Sequence, residues 1–388
     1  MFNRERAFSL MDDHDLDILI AFQKENVTPI SGIRSSGFVF FPRDGEATLV
    51  IPTINTCLVA ENPSWITDVR CYGEYYVQEP LEFLDVSAAE KEWSRIINDP
   101  VRLRKNFLNL LTDVIIEKRM NDKNIGIDER GLDYFSLQKI RDKFPGRLIE
   151  ASSILDNILA VKTDEEIRDI RTAASITEKG LDAAENVIID GATEREIAIA
   201  YRDVMIKEKL TEDWGQKLYW GIFGCGTRSA YPQCSPSDYK IRRGDMVMLH
   251  GGCTYNNHIS DICRVAVCQE ASNKQRRYWK ALLEGGNYSI EMVKAGIKSS
   301  DLFRLAIERI RSEGIEHYRR HHVGHNLEPQ YFQIDQEDGT VLEKNMVICI
   351  ETPYYEIGWG GMNCENEVIV REDGCEPITN QNRELHVT

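Results

Sequence analysis

The chain has 388 residues, 42% hydrophobic and 28% charged, with a formal net charge of −16. That is room for two domains of ordinary globular composition. So negative a balance argues against nucleic acid or an anionic membrane surface as a partner. The N-terminal run MFNRERAFSLMDDHD has no apolar leader, and no stretch of eighteen apolar residues follows. The expectation is a soluble, cytoplasmic protein without membrane contact. Ten cysteines fit that location as reduced, buried thiols, since none forms a C-x-x-C pair and several fall in apolar strand-like runs.

Residues 1–157 alternate strand and helix signals. DLDILIAF (15–22) reads as a strand, and SGFVFFPRDGEATLVIP (36–52) as a hairpin with Asp44-Gly45 at its turn. A helical stretch over 89–118 follows, then a strand at 124–128, a helix at 131–144 and a strand at 147–151. This is an α/β domain with no catalytic constellation.

From about residue 158 the pattern changes. Residues 157–188 read as one long amphipathic helix, with Ile167, Ile170, Ala174 and Ile176 at near-helical spacing and a Thr163/Glu166 capping box. Gly191 breaks it, and Thr193 with Glu196 caps the next helix. A strand and loop occupy 217–238. MVML and ISDICRVAV, joined by a Gly-rich turn, then form a hairpin that brings His250 and Asp261 together, with His258 exposed in the turn. Two helices follow, at 271–294 and 300–313, the second capped by Ser300. Further candidate ligands lie downstream: His325, Glu351 and Glu365, each in or beside a short β-like run. Donors on strands suit a preorganised metal site.

The order of these segments resembles the creatinase/aminopeptidase "pita-bread" superfamily, which includes prolidase, aminopeptidase P and methionine aminopeptidase. The segments are HGG from His250, Tyr255, SDICR to Arg264, HHVGH to His325, TVLEKNMVICIETP through Glu351, and ENEVIV from Glu365. The resemblance covers about residues 155–372. It implies an α+β chain whose C-terminal domain (158–388) is a curved antiparallel sheet backed by helices, behind an N-terminal α/β creatinase-like domain (1–157). It implies one or two divalent ions (Mn, Fe, Zn or Co) on His250, Asp261, His325, Glu351 and Glu365. It also implies Glu351 as proton shuttle, His321 as a substrate-contacting histidine, a small-molecule or short-peptide substrate, and a homodimer.

Three positions depart from the family. His250 stands where the family has a chelating Asp, and an imidazole offers one neutral nitrogen instead of two anionic oxygens. Gln233 stands where the family has a substrate-facing His; it hydrogen-bonds but moves no proton near neutral pH. After His325 the chain reads NLEPQ, and a further family histidine is missing.

Several assignments stay open on the residues alone. His322 competes with His321 and His325. Glu367 competes with Glu365, with strand alternation taken to favour Glu365. His250 is either a ligand or a hydrogen-bonded neighbour of the site, and Asp261 either a ligand or a salt-bridge partner of Arg264. Cys253 and Cys263 as nucleophiles would leave the carboxylates unexplained. The leading reading is a metal-dependent hydrolase of a C–N amide or peptide bond, Xaa-Pro peptidase-like. The alternatives are a non-peptidase enzyme on this fold, such as a creatinase-like hydrolase or metal-dependent lyase in a specialised biosynthetic step, and a catalytically inactive binding module.

Overall fold

The structure, a computed structural model, describes residues 2–78, 85–98, 103–104, 106–144, 146–210, 212–213, 216–329, 332–379 and 384–388. The chain divides into two compact units, Met1–Leu159 and Ala160–Thr388.

The first unit is built on a seven-stranded mixed sheet: β1 (Ile18–Ala21), β2 (Phe38–Pro42), β3 (Thr48–Pro52), β4 (Asp68–Tyr72), β5 (Leu103–Arg104), β6 (Asn124–Ile127) and β7 (Arg147–Glu150), in the order β5-β4-β3-β2-β1-β6-β7. Its central strands are apolar on both faces because both faces are covered. Leu19, Val39, Phe41, Leu49 and Ile51 enter one core cluster, while Ile18, Ile20, Phe38, Phe40 and Val50 enter another. Gly45 takes φ 105° in the β2–β3 turn, as the hairpin reading requires. The stretch 89–118 is not one helix. It holds two, Ala88–Ile97 and Phe107–Glu117, with β5 between them, and part of it (99–102 and 105) lies outside the described residues. The sequence explains the break: Pro100 stands two places after the C-cap Asn98, and proline cannot continue a helix.

The second unit holds a ten-stranded sheet. After a two-residue ladder of β8 (Glu212–Asp213) and β9 (Gln216–Lys217) come β10 (Tyr219–Cys225), β11 (Met246–Tyr255), β12 (His258–Ile259), β13 (Ile262–Val267), β14 (His322–Asn326), β15 (Gln333–Asp335) and β16 (Val347–Glu351). They are followed by β17 (Tyr354–Glu356), β18 (Gly360–Met362), β19 (Glu365–Val370), β20 (Cys375–Pro377) and β21 (His386–Val387). The main path is β10-β11-β13-β19-β16-β14-β15. Every pairing along it is antiparallel, and β21 pairs in parallel with the C-terminal end of β13, off this path. The sheet is the curled half-barrel of the pita-bread fold.

Two helix pairs back this sheet. The predicted 157–188 helix starts later, at Asp164, because the Thr163/Glu166 capping box sets its first turn; a separate helix, Ser152–Ala160, precedes it. It packs on Glu194–Lys207 and on β11, and Asn273–Met292 packs on Ser299–Ser312 and on β16. The last of these helices begins one residue before Ser300, which therefore does not cap it. Each pair closes at a glycine. A Cβ on Gly180 would stand 2.4 Å from Met205 Cε, and one on Gly285 would stand 2.2 Å from Ile310 Cγ1.

That contact gives a stability prediction. Gly285→Ala forces Ile310, which is fully buried, to move. The expected cost is about 1–3 kcal/mol. Denaturant unfolding of G285A, I310A and the double variant checks it; the two costs are expected to be less than additive, because I310A removes the atoms that G285A meets.

Candidate metal centre

Register assembles the centre. Across β11, β13, β19 and β16 the paired residues are His250↔Cys263, Cys263↔Glu365 and Glu365↔Glu351. The adjacent row runs Glu367↔Cys349↔His325 over β19, β16 and β14. Residues two apart on a strand share a face, so the two rows present their side chains together. Asp261, just ahead of β13, completes them: its backbone N–H donates to Glu367 Oε1 at 2.5 Å.

The donor atoms converge around Glu365, which is 1% exposed. His250 Nε2 lies 2.9 Å from Asp261 Oδ1 and 3.0 Å from Glu365 Oε2. His325 Nε2 lies 3.6 Å from Glu365 Oε1 and 3.8 Å from Asp261 Oδ2. Its Nδ1 is 3.0 Å from the Asn326 carbonyl. An Nδ1–H donated there fixes the ring and leaves Nε2 facing the carboxylates. Two triples result, His250–Asp261–Glu365 and His325–Cys349–Glu365, each with donor atoms within 4.8 Å of one another. Glu351 pairs with Glu365 in register, but its carboxylate turns aside. Oε2 accepts from Asn363 Nδ2 at 3.1 Å, and Oε1 is 3.1 Å from His322 Nδ1, out of line for a hydrogen bond.

Without an ion, charge is balanced by protons. Burial lowers the His325 pKa, but the nearby Glu365 and Asp261 carboxylates outweigh it and carry it up to about 9. His250 is likewise raised against burial, by Glu365 and Asp261. Burial acts to raise Glu365, and the two imidazoles bring it down to about 2. Burial and the Glu365 charge push Glu351 up to about 7. Burial, with His321 and Arg320, holds His322 down near 4, so it is a neutral imidazole.

The donor set fits a divalent cation. Glu365 Oε2 and Glu367 Oε2 are buried oxygens with no hydrogen-bond partner, because the His250 N–H is aligned with Asp261 and the second Glu367 oxygen faces no donor. Buried orphan acceptors are costly, and a cation satisfies them. Imidazole, carboxylate and thiol are the ligand types of first-row divalent metals.

Four sequence readings change in the structure. His321 is exposed, and it is His322 that faces Glu351. Gln233 is also exposed, and no hydrogen bond or ion pair among the described residues ties it to the donor set. Its loop is pinned from beneath by the buried Glu194, which accepts from Cys225 N, Arg228 Nε and the Ser237 hydroxyl. His258 is buried, with Nδ1 2.6 Å from Glu328 Oε1. Alternation does not separate Glu365 from Glu367, which share a face; position along the strand does. Arg264 donates to the Cys263 and Glu365 carbonyls and pairs with Glu178 at 3.6 Å. Cys253 faces the Ala173 carbonyl. Sequence reasoning weighed His322 and Glu367 as competitors but passed over Asn363 and Cys349, although the two-residue period from Glu351 points to Cys349.

A curled antiparallel sheet with imidazoles and carboxylates facing one another from neighbouring strands is the arrangement of a metal-dependent enzyme. Residues 168–372 match metallopeptidase family M24 and residues 4–158 the creatinase/prolidase N-terminal domain; the chain belongs to that family. It is 30% identical over 386 residues to the Xaa-Pro dipeptidase of Pyrococcus furiosus, covering 98% of each chain. Among solved structures it is similar to the Pyrococcus furiosus prolidase, at 28% identity and TM-score 0.74 over 97% of this chain and 100% of that one. The Xaa-Pro dipeptidase structure from Bacillus anthracis shares the fold at 22% identity, with TM-score 0.80 over 99% of this chain and 98% of that one.

The protons predict a competition. Because the folded pKa of His325 is raised, its stabilising contribution is full below about 6.5 and is lost as pH rises through about 9. A cation must displace that proton. Apparent Mn²⁺ affinity is therefore expected to rise with pH up to about 9, with about one or more protons released per ion at pH 7.5. Titration calorimetry in buffers of different ionisation enthalpy measures the count; zero protons would refute the charge assignment.

Proposed function

We propose that the chain hydrolyses the amide bond of short Xaa-Pro peptides with a divalent ion held by His325, Glu365 and Asp261, toward which Glu351 would have to turn from Asn363 to join as a ligand. The observation that carries this is the pair of donor triples sharing Glu365. The substrate class is supported by the full-length likeness to an Xaa-Pro dipeptidase. An ion bound there polarises a carbonyl and acidifies water. Glu351, buried beside the donor triples, is the carboxylate placed to take up and return a proton. Asn363 holds its carboxylate, and neutral His322 stands beside it as an N–H donor to substrate in the role the resemblance assigned to His321.

The ion count follows from charge. The position at His325 and Glu351 draws on Glu365 and fills first. The position at His250 shares the same Glu365 and has one neutral nitrogen where the family has a carboxylate, so it offsets less of the repulsion between two dications. A second ion there is weak or absent, and an imidazole-tolerant metal such as zinc or iron suits it better than magnesium. We also propose a cytoplasmic homodimer. The free state of all ten cysteines supports a reducing location, and no helix among the described residues is long and apolar enough to cross a membrane.

A dipeptide panel tests the substrate. Xaa-Pro cleavage is expected to exceed Xaa-Ala cleavage, and equal rates would refute the proline reading. Glu351→Gln is expected to lower kcat by about 10²–10⁴-fold, the usual worth of a positioned acid–base group. Elemental analysis should find one tight ion per chain, rising toward two in His250→Asp; two equally tight ions in the native protein would sink the charge argument. Light scattering at micromolar concentration should give a dimer mass.

A further inference from the structure

We infer that Cys349 is itself a metal ligand, so that the tight position is a mixed nitrogen–oxygen–sulfur site selective for thiophilic ions of the zinc and cobalt type over manganese or magnesium. This rests on the metal reading above and names the chemistry of its first position.

The placement comes from the ladder. Cys349 lies two residues before Glu351 on β16, hence on the same face, and is paired directly with His325 on one side and Glu367 on the other. Its Sγ, a His325 ring nitrogen and a Glu365 oxygen lie within 4.8 Å of one another. Sγ is also 3.9 Å from the Asp261 carbonyl. The side chain is fully buried at a border: on one side it belongs to an apolar cluster with Ile167, Ile170, Leu327, Val347 and Ile369. Toward the centre it meets the field of four carboxylates, Glu365, Asp261, Glu367 and Glu351.

Apolar packing and the weak S–H contact to the Asp261 carbonyl account for one side of Cys349 but not for the carboxylates on the other. Nor can a thiol satisfy them, since S–H is a weak donor. Glu367 Oε2 and Glu365 Oε2, the latter 3.0 Å from His250 Nε2, are buried without a hydrogen bond, and a cation in this space would satisfy both. On binding, the thiol proton leaves to solvent and the sulfur lone pair enters the metal bond; no electron transfer is involved. Thiolate, imidazole and carboxylate together form the donor set that tetrahedral zinc prefers and that hard, octahedral magnesium does not.

Co²⁺ is the probe, added anaerobically to the metal-free full-length protein. The expected result is a near-ultraviolet thiolate-to-cobalt charge-transfer band that saturates with the first ion. In Cys349→Ser the band is expected to vanish while an ion still binds, and Zn²⁺ affinity to fall by tenfold or more with Mn²⁺ affinity little changed. A wild-type complex that binds Co²⁺ without the band overturns this inference and leaves the metal reading standing. A band that persists in the variant also overturns it, by placing the sulfur on another cysteine. No Co²⁺ uptake at all overturns both. X-ray absorption of the wild-type zinc form needs no variant: one sulfur at about 2.3 Å is expected, and a shell of nitrogen and oxygen alone refutes the assignment.

Discussion

The carboxylate of Glu365, buried between two imidazoles, is the point on which the second unit turns. One oxygen faces His250 and the other His325. An isolated carboxylate could not stay ionised at that depth. Its charge survives because the flanking rings carry protons, and metal replaces those protons. The antiparallel register of β11, β13, β19, β16 and β14 brings their donor residues to the same spot.

The backing follows from that demand. A strand face given to charged donors contributes little apolar burial, so the opposite face and the helix pairs must supply the core. Ile348, Ile350, Val368 and Val370 alternate with the donor positions and enter the largest apolar cluster, with Leu282, Leu302, Ala306 and Ile310 from the helices. Close helix approach at Gly180 and Gly285 lets two layers lie flat against the sheet without displacing the strands that hold the donors.

Much of this was legible in the sequence, and the reasons are local. Capping boxes at Thr163 and Thr193 mark helix starts through short-range hydrogen bonds. The spacing of His250, Asp261, His325, Glu351 and Glu365 survives as strand periodicity. What escaped depends on long-range geometry. His321 and His322 are equivalent on paper; only the path of the strand at its irregular pairing with β15 decides which ring turns inward. His258 looks exposed in its turn until Glu328, seventy residues away, closes over it. In the first unit the helices Arg4–Asp13 and Lys24–Ser31 and the strand Asp68–Tyr72 went unread, being short and of weak periodicity.

Trp220 on β10 and His250 meet in a T-shaped pair, with centroids 4.8 Å apart and planes at 78°. Protonated imidazole quenches indole emission far more than the neutral ring does. The contact therefore makes this tryptophan an optical gauge of the neighbouring histidine. A change of charge on that ring, by loss of its proton or arrival of a cation, is felt directly by the indole beside it.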